Sequence, residues 1–198
     1  MFARTSEFVT QQLEKENVIT AENRELYMYG IQNGLVIALN LLTSLIIGLI
    51  FGELIFSLLL LAVYIPVRTY AGGYHASTQI RCYILSSMIM AAWLSILKWV
   101  KIPTSCCVIA FFICLVICLC LSPIDSENKR FDEAEKKQFG KRAKVMILIC
   151  SGIWLSALIA NILVAVKIIT IAICTESIML IIGFINNRKN KESKRIVE

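Results

Sequence analysis

The chain has 198 residues, of which 58% are hydrophobic, and its mean hydropathy is +0.73. Soluble domains are roughly 45–50% apolar, whereas apolar stretches of about 20 residues, the length that crosses a bilayer, recur along this chain. An ordinary soluble domain is therefore excluded. The net charge of +6 accumulates on one side of the predicted membrane, so it indicates orientation and contact with anionic lipid rather than with nucleic acid.

The first 25 residues are polar and contain no predicted signal peptide, because no apolar core follows a short basic region. A weak apolar set predicts an amphipathic helix that begins after Thr5 or Ser6 and lies on the membrane surface. Its members are Phe2, Phe8, Val9 and Leu13. Thr20 is a suitable residue to cap the helix that follows.

Six transmembrane helices are predicted, so the fold class is all-α, a polytopic membrane helix bundle. The spans are about residues 26–51, 54–67, 80–100, 102–121, 145–166 and 168–185. Pro66 should bend or end the second span, and Lys167 should mark the end of the fifth. We interpret residues 1–198 as one domain, made of an N-terminal segment (1–25), the bundle (26–185) and a basic tail (186–198).

The orientation follows from the basic residues. Six spans place both termini on one side, and that side holds all of the 20 basic residues except Lys98, Lys101 and Lys167. The positive-inside rule makes it the cytoplasmic side. We therefore expect a multi-pass protein of the cell membrane whose termini, segment 68–81 and hydrophilic stretch 122–144 are cytoplasmic.

Seven of the eight cysteines lie inside apolar runs, where a free cysteine behaves as a small hydrophobe. They are Cys106, Cys107, Cys114, Cys118, Cys120, Cys150 and Cys174. With a single histidine the chain lacks the ligand spacing of a zinc site. We expect neither a metal nor another cofactor.

The remaining cysteine, Cys82, follows the only histidine, His75, by seven residues. Cytoplasmic thiols stay reduced, and an imidazole can generate the nucleophilic thiolate. A helix that begins near Thr78, with Thr78 or Ser77 as its cap, would place Cys82 in its first turns, where the helix dipole favours the thiolate. Gly72-Gly73 would let the chain fold back. The alternative is an interfacial histidine beside an incidental cysteine.

Two segments resemble the accessory gene regulator protein B family (AgrB), membrane cysteine endopeptidases of Gram-positive quorum sensing. The first segment matches at Arg68, Gly72, Gly73, His75 and Cys82, and the second at Pro123, Asp125, Asn128 and Lys129. The second segment is looser at Ile124 and Arg130-Phe131. The resemblance implies cleavage of a short pheromone precursor near its acidic C-terminal tail through a thioester on the enzyme. An internal cysteine or serine of the peptide would then close a thiolactone or lactone ring.

The resemblance also implies roles for the two reactive residues and the glycines. Cys82 would be the nucleophile, and His75 the general base and later the acid. Gly72 and Gly73 would let the backbone approach the substrate, and their N–H groups are candidates for the oxyanion hole.

Each of the other matched residues has two alternative roles. Arg68 would bind the acidic tail of the precursor or anchor the helix at the interface. Asp125 or Asn128 would orient His75, or would simply form a capped cytoplasmic turn. Lys129 would attract the acidic peptide or lipid headgroups.

Two other functions compete with the peptidase. A peptide transporter or exporter is suggested by Glu176, with Asn40 and Asn161, inside the spans, although no internal repeat supports it. A non-catalytic membrane scaffold is the second. We expect Glu176 to be protonated or to be paired with Asn161 or Thr170, and we favour a structural polar contact over a catalytic role.

The expected partners are the precursor peptide with its acidic C-terminal tail and membrane lipid. Gly30 and Gly34 form a small-xxx-small pair that would allow close helix contact, and the alternative is two incidental glycines near an interface. A homodimer is a further candidate partner, which this pair does not prove.

Overall fold

The computed structural model describes residues 2–74, 76, 78–125 and 132–197, and these residues form seven α-helices. The helices are α1 (Ala3–Lys15), α2 (Arg24–Phe51), α3 (Leu54–Ala71), α4 (Gln79–Trp99), α5 (Thr104–Leu121), α6 (Glu133–Ile159) and α7 (Leu163–Val197), with a 3-10 turn (Ala21–Asn23) before α2. Helices α2 to α7 are each long and apolar enough to cross a membrane. The predicted all-α polytopic bundle is therefore confirmed.

The N-terminal helix α1 packs against α2. It begins at Ala3, a few residues earlier than predicted. Thr20 makes no side-chain cap to the backbone, because its Oγ1 accepts a hydrogen bond from Asn23 Nδ2 at 3.2 Å instead.

Pro66 lies inside α3 and does not end it, because the helix continues to Ala71. A proline removes the backbone hydrogen bond that its own nitrogen would donate, and its ring crowds the carbonyl one turn earlier. Both effects are local, so the helix continues past Pro66. The continuation is important for the site, because it carries Arg68 on a helix rather than on a loop.

The predicted boundary at Lys167 is wrong. Helix α6 ends at Ile159, and Asn161 has a left-handed backbone with φ +58°. The N–H groups of Asn161 and Ile162 donate to Leu158 and Ala157, which is the Schellman arrangement that closes many helices. Asparagine adopts this conformation at little cost, and Lys167 consequently lies inside α7.

Helix α7 is the central helix of the bundle. In its most apolar stretch 67% of the residues are buried, against 11–28% in the other spans, and it packs against α3, α5 and α6. The Phe111 ring of α5 stacks on Trp154 of α6 with 4.0 Å between centroids. The indole N–H of Trp154 donates to Thr170 Oγ1 of α7 at 3.0 Å, so one contact chain joins the three helices.

Candidate active site

Cys82 lies in the first turn of α4. Thr78 caps this helix, since its side chain accepts the Arg81 N–H at 3.3 Å. The Cys82 N–H donates to the Thr78 carbonyl at 3.0 Å. The predicted cap and the predicted place of Cys82 at the positive end of the helix dipole are both confirmed. The side chain of Cys82 is half-buried and its thiol is free.

Three of the predicted site residues, His75, Asn128 and Lys129, lie outside the described residues. The chain on either side of His75 is described: Tyr74 is half-buried, and Ala76 is buried. Residues 72–74, which we call the Gly72–Tyr74 segment, are the described residues whose contacts precede His75 in the chain.

The Gly72–Tyr74 segment contacts the stretch that precedes α6. Gly72 and Ile124 form an isolated parallel bridge, in which Ile124 N–H donates to Ala71 at 3.0 Å and Gly73 N–H donates to Ile124 at 3.3 Å. Gly72 and Gly73 have φ values of +74° and +110°, which other residues rarely adopt. A Cβ atom on Gly72 would also collide with the Ile124 carbonyl oxygen. The two glycines are therefore required by the backbone itself.

The prediction that Gly72 and Gly73 supply oxyanion-hole donors disagrees with these hydrogen bonds. The Gly72 N–H donates to the Arg68 carbonyl at 3.1 Å, and the Gly73 N–H donates to Ile124. Each N–H group has one hydrogen, and both are already used. The glycines thus shape the loop, and neither N–H is free for an oxyanion in this structure.

Arg68 holds the same segment from the side of α3. Its Nη1 donates to the Gly72 carbonyl at 2.5 Å, and its Nη2 donates to the Tyr74 carbonyl. Its Nη1 also lies 3.8 Å from Glu176 Oε1 of α7. The Arg68 side chain is 17% exposed, and that of Glu176 is completely buried. Arg68 thus joins a buried carboxylate to the residue that precedes His75 in the chain.

The expected contact of Glu176 with Asn161 or Thr170 is wrong. Thr170 is occupied by Trp154 and by the Val166 carbonyl, while Asn161 is exposed in the turn between α6 and α7. The signal that could have indicated the pair was a carboxylate inside one apolar span and an arginine at the end of another, because such charges usually neutralise each other.

Helix α7 provides the surface on which the segment lies. The Tyr74 N–H donates to the Met179 carbonyl at 2.9 Å. A Cβ atom on Gly183, one turn later, would lie only 2.8 Å from the Tyr74 nitrogen. Glycine at this position therefore permits the close contact between loop and helix.

Tyr64 connects this region to α4. It lies on α3, one turn before Arg68, and it interacts electrostatically with Arg68, Glu176 and Cys82. Groups of α3, α4 and α7 therefore lie near one another in this region.

Asp125 directly follows the residue that pairs with Gly72. Its backbone carbonyl accepts a hydrogen bond from Asn187 Nδ2 at 2.8 Å. Its Oδ1 is buried and has no hydrogen-bond partner among the described residues. The structure thus brings the two matched segments together, although they are far apart in the sequence.

All eight cysteines are free thiols. Cys107, Cys118 and Cys150 lie in the core between α5, α6 and α7. Among the described residues no group of three or more histidine, cysteine, aspartate or glutamate side chains could hold a metal ion.

Comparison with known proteins identifies the family. The family model "Accessory gene regulator B" (AgrB) matches residues 6–180. No curated protein and no solved structure matches the chain. The matched range runs from α1 into α7, and it includes Arg68, Cys82, Asp125 and Glu176. Because the match covers most of the chain, the protein belongs to the Accessory gene regulator B family, and it is a multi-pass membrane protein of this quorum-sensing system, in a family associated with peptide processing.

Proposed function

We propose that the protein is a membrane cysteine endopeptidase. It cleaves the C-terminal tail from an autoinducing-peptide precursor and promotes cyclisation of the remainder to a thiolactone or lactone. The observation that carries the proposal is the position of Cys82, a free, half-buried thiol in the first turn of α4. The loop that leads to it contains the only histidine of the chain.

In the first step His75 accepts the proton of the Cys82 thiol, and the sulfur attacks the carbonyl carbon of the scissile peptide bond. The tetrahedral intermediate collapses with cleavage of the C–N bond, and His75 returns the proton to the leaving amine. The acidic tail departs with a new amino terminus. The rest of the precursor remains on Cys82 as a thioester.

In the second step an internal thiol or hydroxyl of the bound peptide attacks the thioester carbonyl. Its proton passes through His75 to the departing Cys82 sulfur, so the ring is released and the free thiol is restored. The reaction is intramolecular, and well-oriented groups of this kind reach effective molarities of about 10⁵–10⁸ M. A site among helix ends that limits the access of water therefore favours cyclisation over hydrolysis.

We assign Asp125 to the orientation of His75. Support comes from the bridge between Gly72 and Ile124, which brings Asp125 beside the loop, and from its buried, unpartnered Oδ1. A carboxylate that orients the imidazole is the usual third member of such sites. Asn128, in the same stretch of the sequence, is the second candidate for this role.

The acidic tail is attracted by the basic residues of the cytoplasmic stretch, Lys129 among them. Lys136 and Lys137, on the first turns of α6, are exposed and are available to the peptide or to lipid headgroups. We assign Arg68 to the loop rather than to the tail, because two of its five N–H donors bind the carbonyls of Gly72 and Tyr74. Glu176 no longer favours the transporter, because it is paired with Arg68 inside the bundle.

The test is co-expression with a candidate precursor, a short peptide with an amphipathic start and an acidic end, followed by mass spectrometry of the products. Cys82→Ser and His75→Ala should each abolish release of the tail at unchanged protein level in the membrane. The matched control replaces the other seven cysteines together by alanine or serine, and it should retain cleavage. Full cleavage by either single variant refutes the assignment, and loss of cleavage in the control moves the nucleophile elsewhere.

A further inference from the structure

The most unusual side chain of the bundle is Glu176. It lies in the central helix α7 with no exposed surface. Neither of its carboxylate oxygens has a hydrogen-bond partner among the described residues. An acidic group in such a place is costly unless a positive charge compensates it. The group is not used by the chemistry proposed above, so it needs an explanation of its own.

Arg68 is the positive charge that the structure places beside it, with Nη1 3.8 Å from Glu176 Oε1. Among the described residues, Tyr64 of α3 and Cys118 of α5 also interact electrostatically with Glu176. On α7 itself, the neighbouring hydroxyl of Thr175 donates to the backbone of its own helix. Arg68 is therefore the compensating charge in this part of the described chain.

The guanidinium group is a planar fork whose donors have fixed directions. In Arg68 the fork donates to the carbonyls of Gly72 and Tyr74, on both sides of Gly73. A single side chain thus fixes the path of the backbone immediately before His75. The Glu176 carboxylate lies 3.8 Å from the same Nη1 that donates to Gly72, and it attracts this atom electrostatically.

We infer that Glu176 and Arg68 form an ionic latch that holds the Gly72–Tyr74 segment and thereby positions His75 relative to Cys82. The inference rests on the proposed function, in which these two residues react together. Glu176 and Arg68 are positioning residues, since they act through the loop. A tail carboxylate of the precursor that took the donors now bound to the carbonyls of Gly72 and Tyr74 would release the segment.

The test measures the reactivity of Cys82 without any peptide. In a background that lacks the other seven cysteines, the rate of alkylation of Cys82 by iodoacetamide is measured against pH. The variant His75→Ala gives the profile of the thiol without its imidazole. Glu176→Gln should move the profile toward that of His75→Ala, with alkylation at neutral pH slower by roughly 10-fold or more. Arg68→Gln should do the same.

The control is Thr175→Val, which replaces a buried polar side chain next to Glu176 whose hydrogen bond stays within α7. It should leave the profile unchanged. Glu176→Asp keeps the charge but is shorter by one methylene, and its profile should lie between those of the wild type and Glu176→Gln. If Glu176→Gln does not fold, the aspartate variant decides, and a wild-type profile for it overturns the latch.

Cleavage of the precursor gives a second readout. Glu176→Gln should lower kcat by about 10²-fold at an unchanged KM, because a misplacement near 1 Å costs about that much. A rise in KM alone for Arg68→Gln would assign Arg68 to tail binding and overturn the latch. If His75→Ala leaves the alkylation profile unchanged, the proposed Cys–His pair has failed. If it changes the profile but Glu176→Gln does not, only the latch has failed.

Discussion

Gly183→Ala tests whether the loop really lies on α7, and its effect can be worked out from the structure. The added methyl group would lie 2.8 Å from the Tyr74 nitrogen and 3.0 Å from the Gly73 carbonyl carbon. Ordinary van der Waals contact begins at 3.4 Å. The loop backbone must therefore move by about 0.6 Å, the difference between 3.4 and 2.8 Å, or more.

This displacement should reduce activity without unfolding the protein. A shift near 1 Å in a reacting group costs about 10²-fold in rate, so we expect cleavage of the precursor to fall about 10- to 100-fold. This corresponds to about 1.4–2.7 kcal/mol of transition-state stabilisation. Stability should hardly change. The hydrogen bond from Tyr74 to Met179 contributes about 1 kcal/mol, and the better helix propensity of alanine offsets about as much.

The assay compares rates of tail release in membrane vesicles and thermal stability in detergent. Gly152→Ala is the matched control, because it lies in α6 and a Cβ atom there would meet nothing within 4 Å. The control should cleave at the wild-type rate. If Gly183→Ala also cleaves at that rate, or if both variants lose activity equally, the loop is not held against α7.

Two further predictions concern the intermediate and the orientation. A precursor whose internal nucleophilic cysteine is changed to alanine should still lose its tail, and the rest of it should accumulate on Cys82 as a thioester. Hydroxylamine at neutral pH should release this adduct. If no adduct is found after a short-time quench, the cyclisation mechanism is refuted. The orientation is tested in intact cells, with single cysteines introduced into a protein that lacks the native ones. A cysteine at Glu133 should resist a membrane-impermeant thiol reagent, and one at Glu53 should react with it. The reverse pattern would place the site outside the cell.

Hydropathy alone was sufficient for the count of the spans and for the all-α class. The reason is that a chain in lipid must satisfy its backbone hydrogen bonds within each segment, so an apolar stretch of sufficient length becomes a helix whatever its neighbours are. Local rules were also sufficient for the cap at Thr78 and for the place of Cys82 in the first turn of α4. Such features depend on residues within one turn of each other.

Hydropathy failed where both sides of a boundary are apolar. The turn between α6 and α7 lies at Asn161 and not at Lys167, and only the left-handed backbone distinguishes it from the helices on either side. Pro66 does not end the second span, as one of its two predicted effects would have required, because α3 runs through it without a break to Ala71.

The arrangement around the loop was decided by tertiary structure. The two matched segments identify the family, but the sequence does not show that Gly72 pairs with Ile124 or that both glycine N–H groups are occupied. In the sequence, Arg68 and Glu176 are two unrelated charged residues, the first at an interface and the second inside a span. Only the packing of α3 against α7 makes them a pair. A buried charge needs a partner, but nothing local to the sequence determines which residue provides it, because that depends on which helix faces meet.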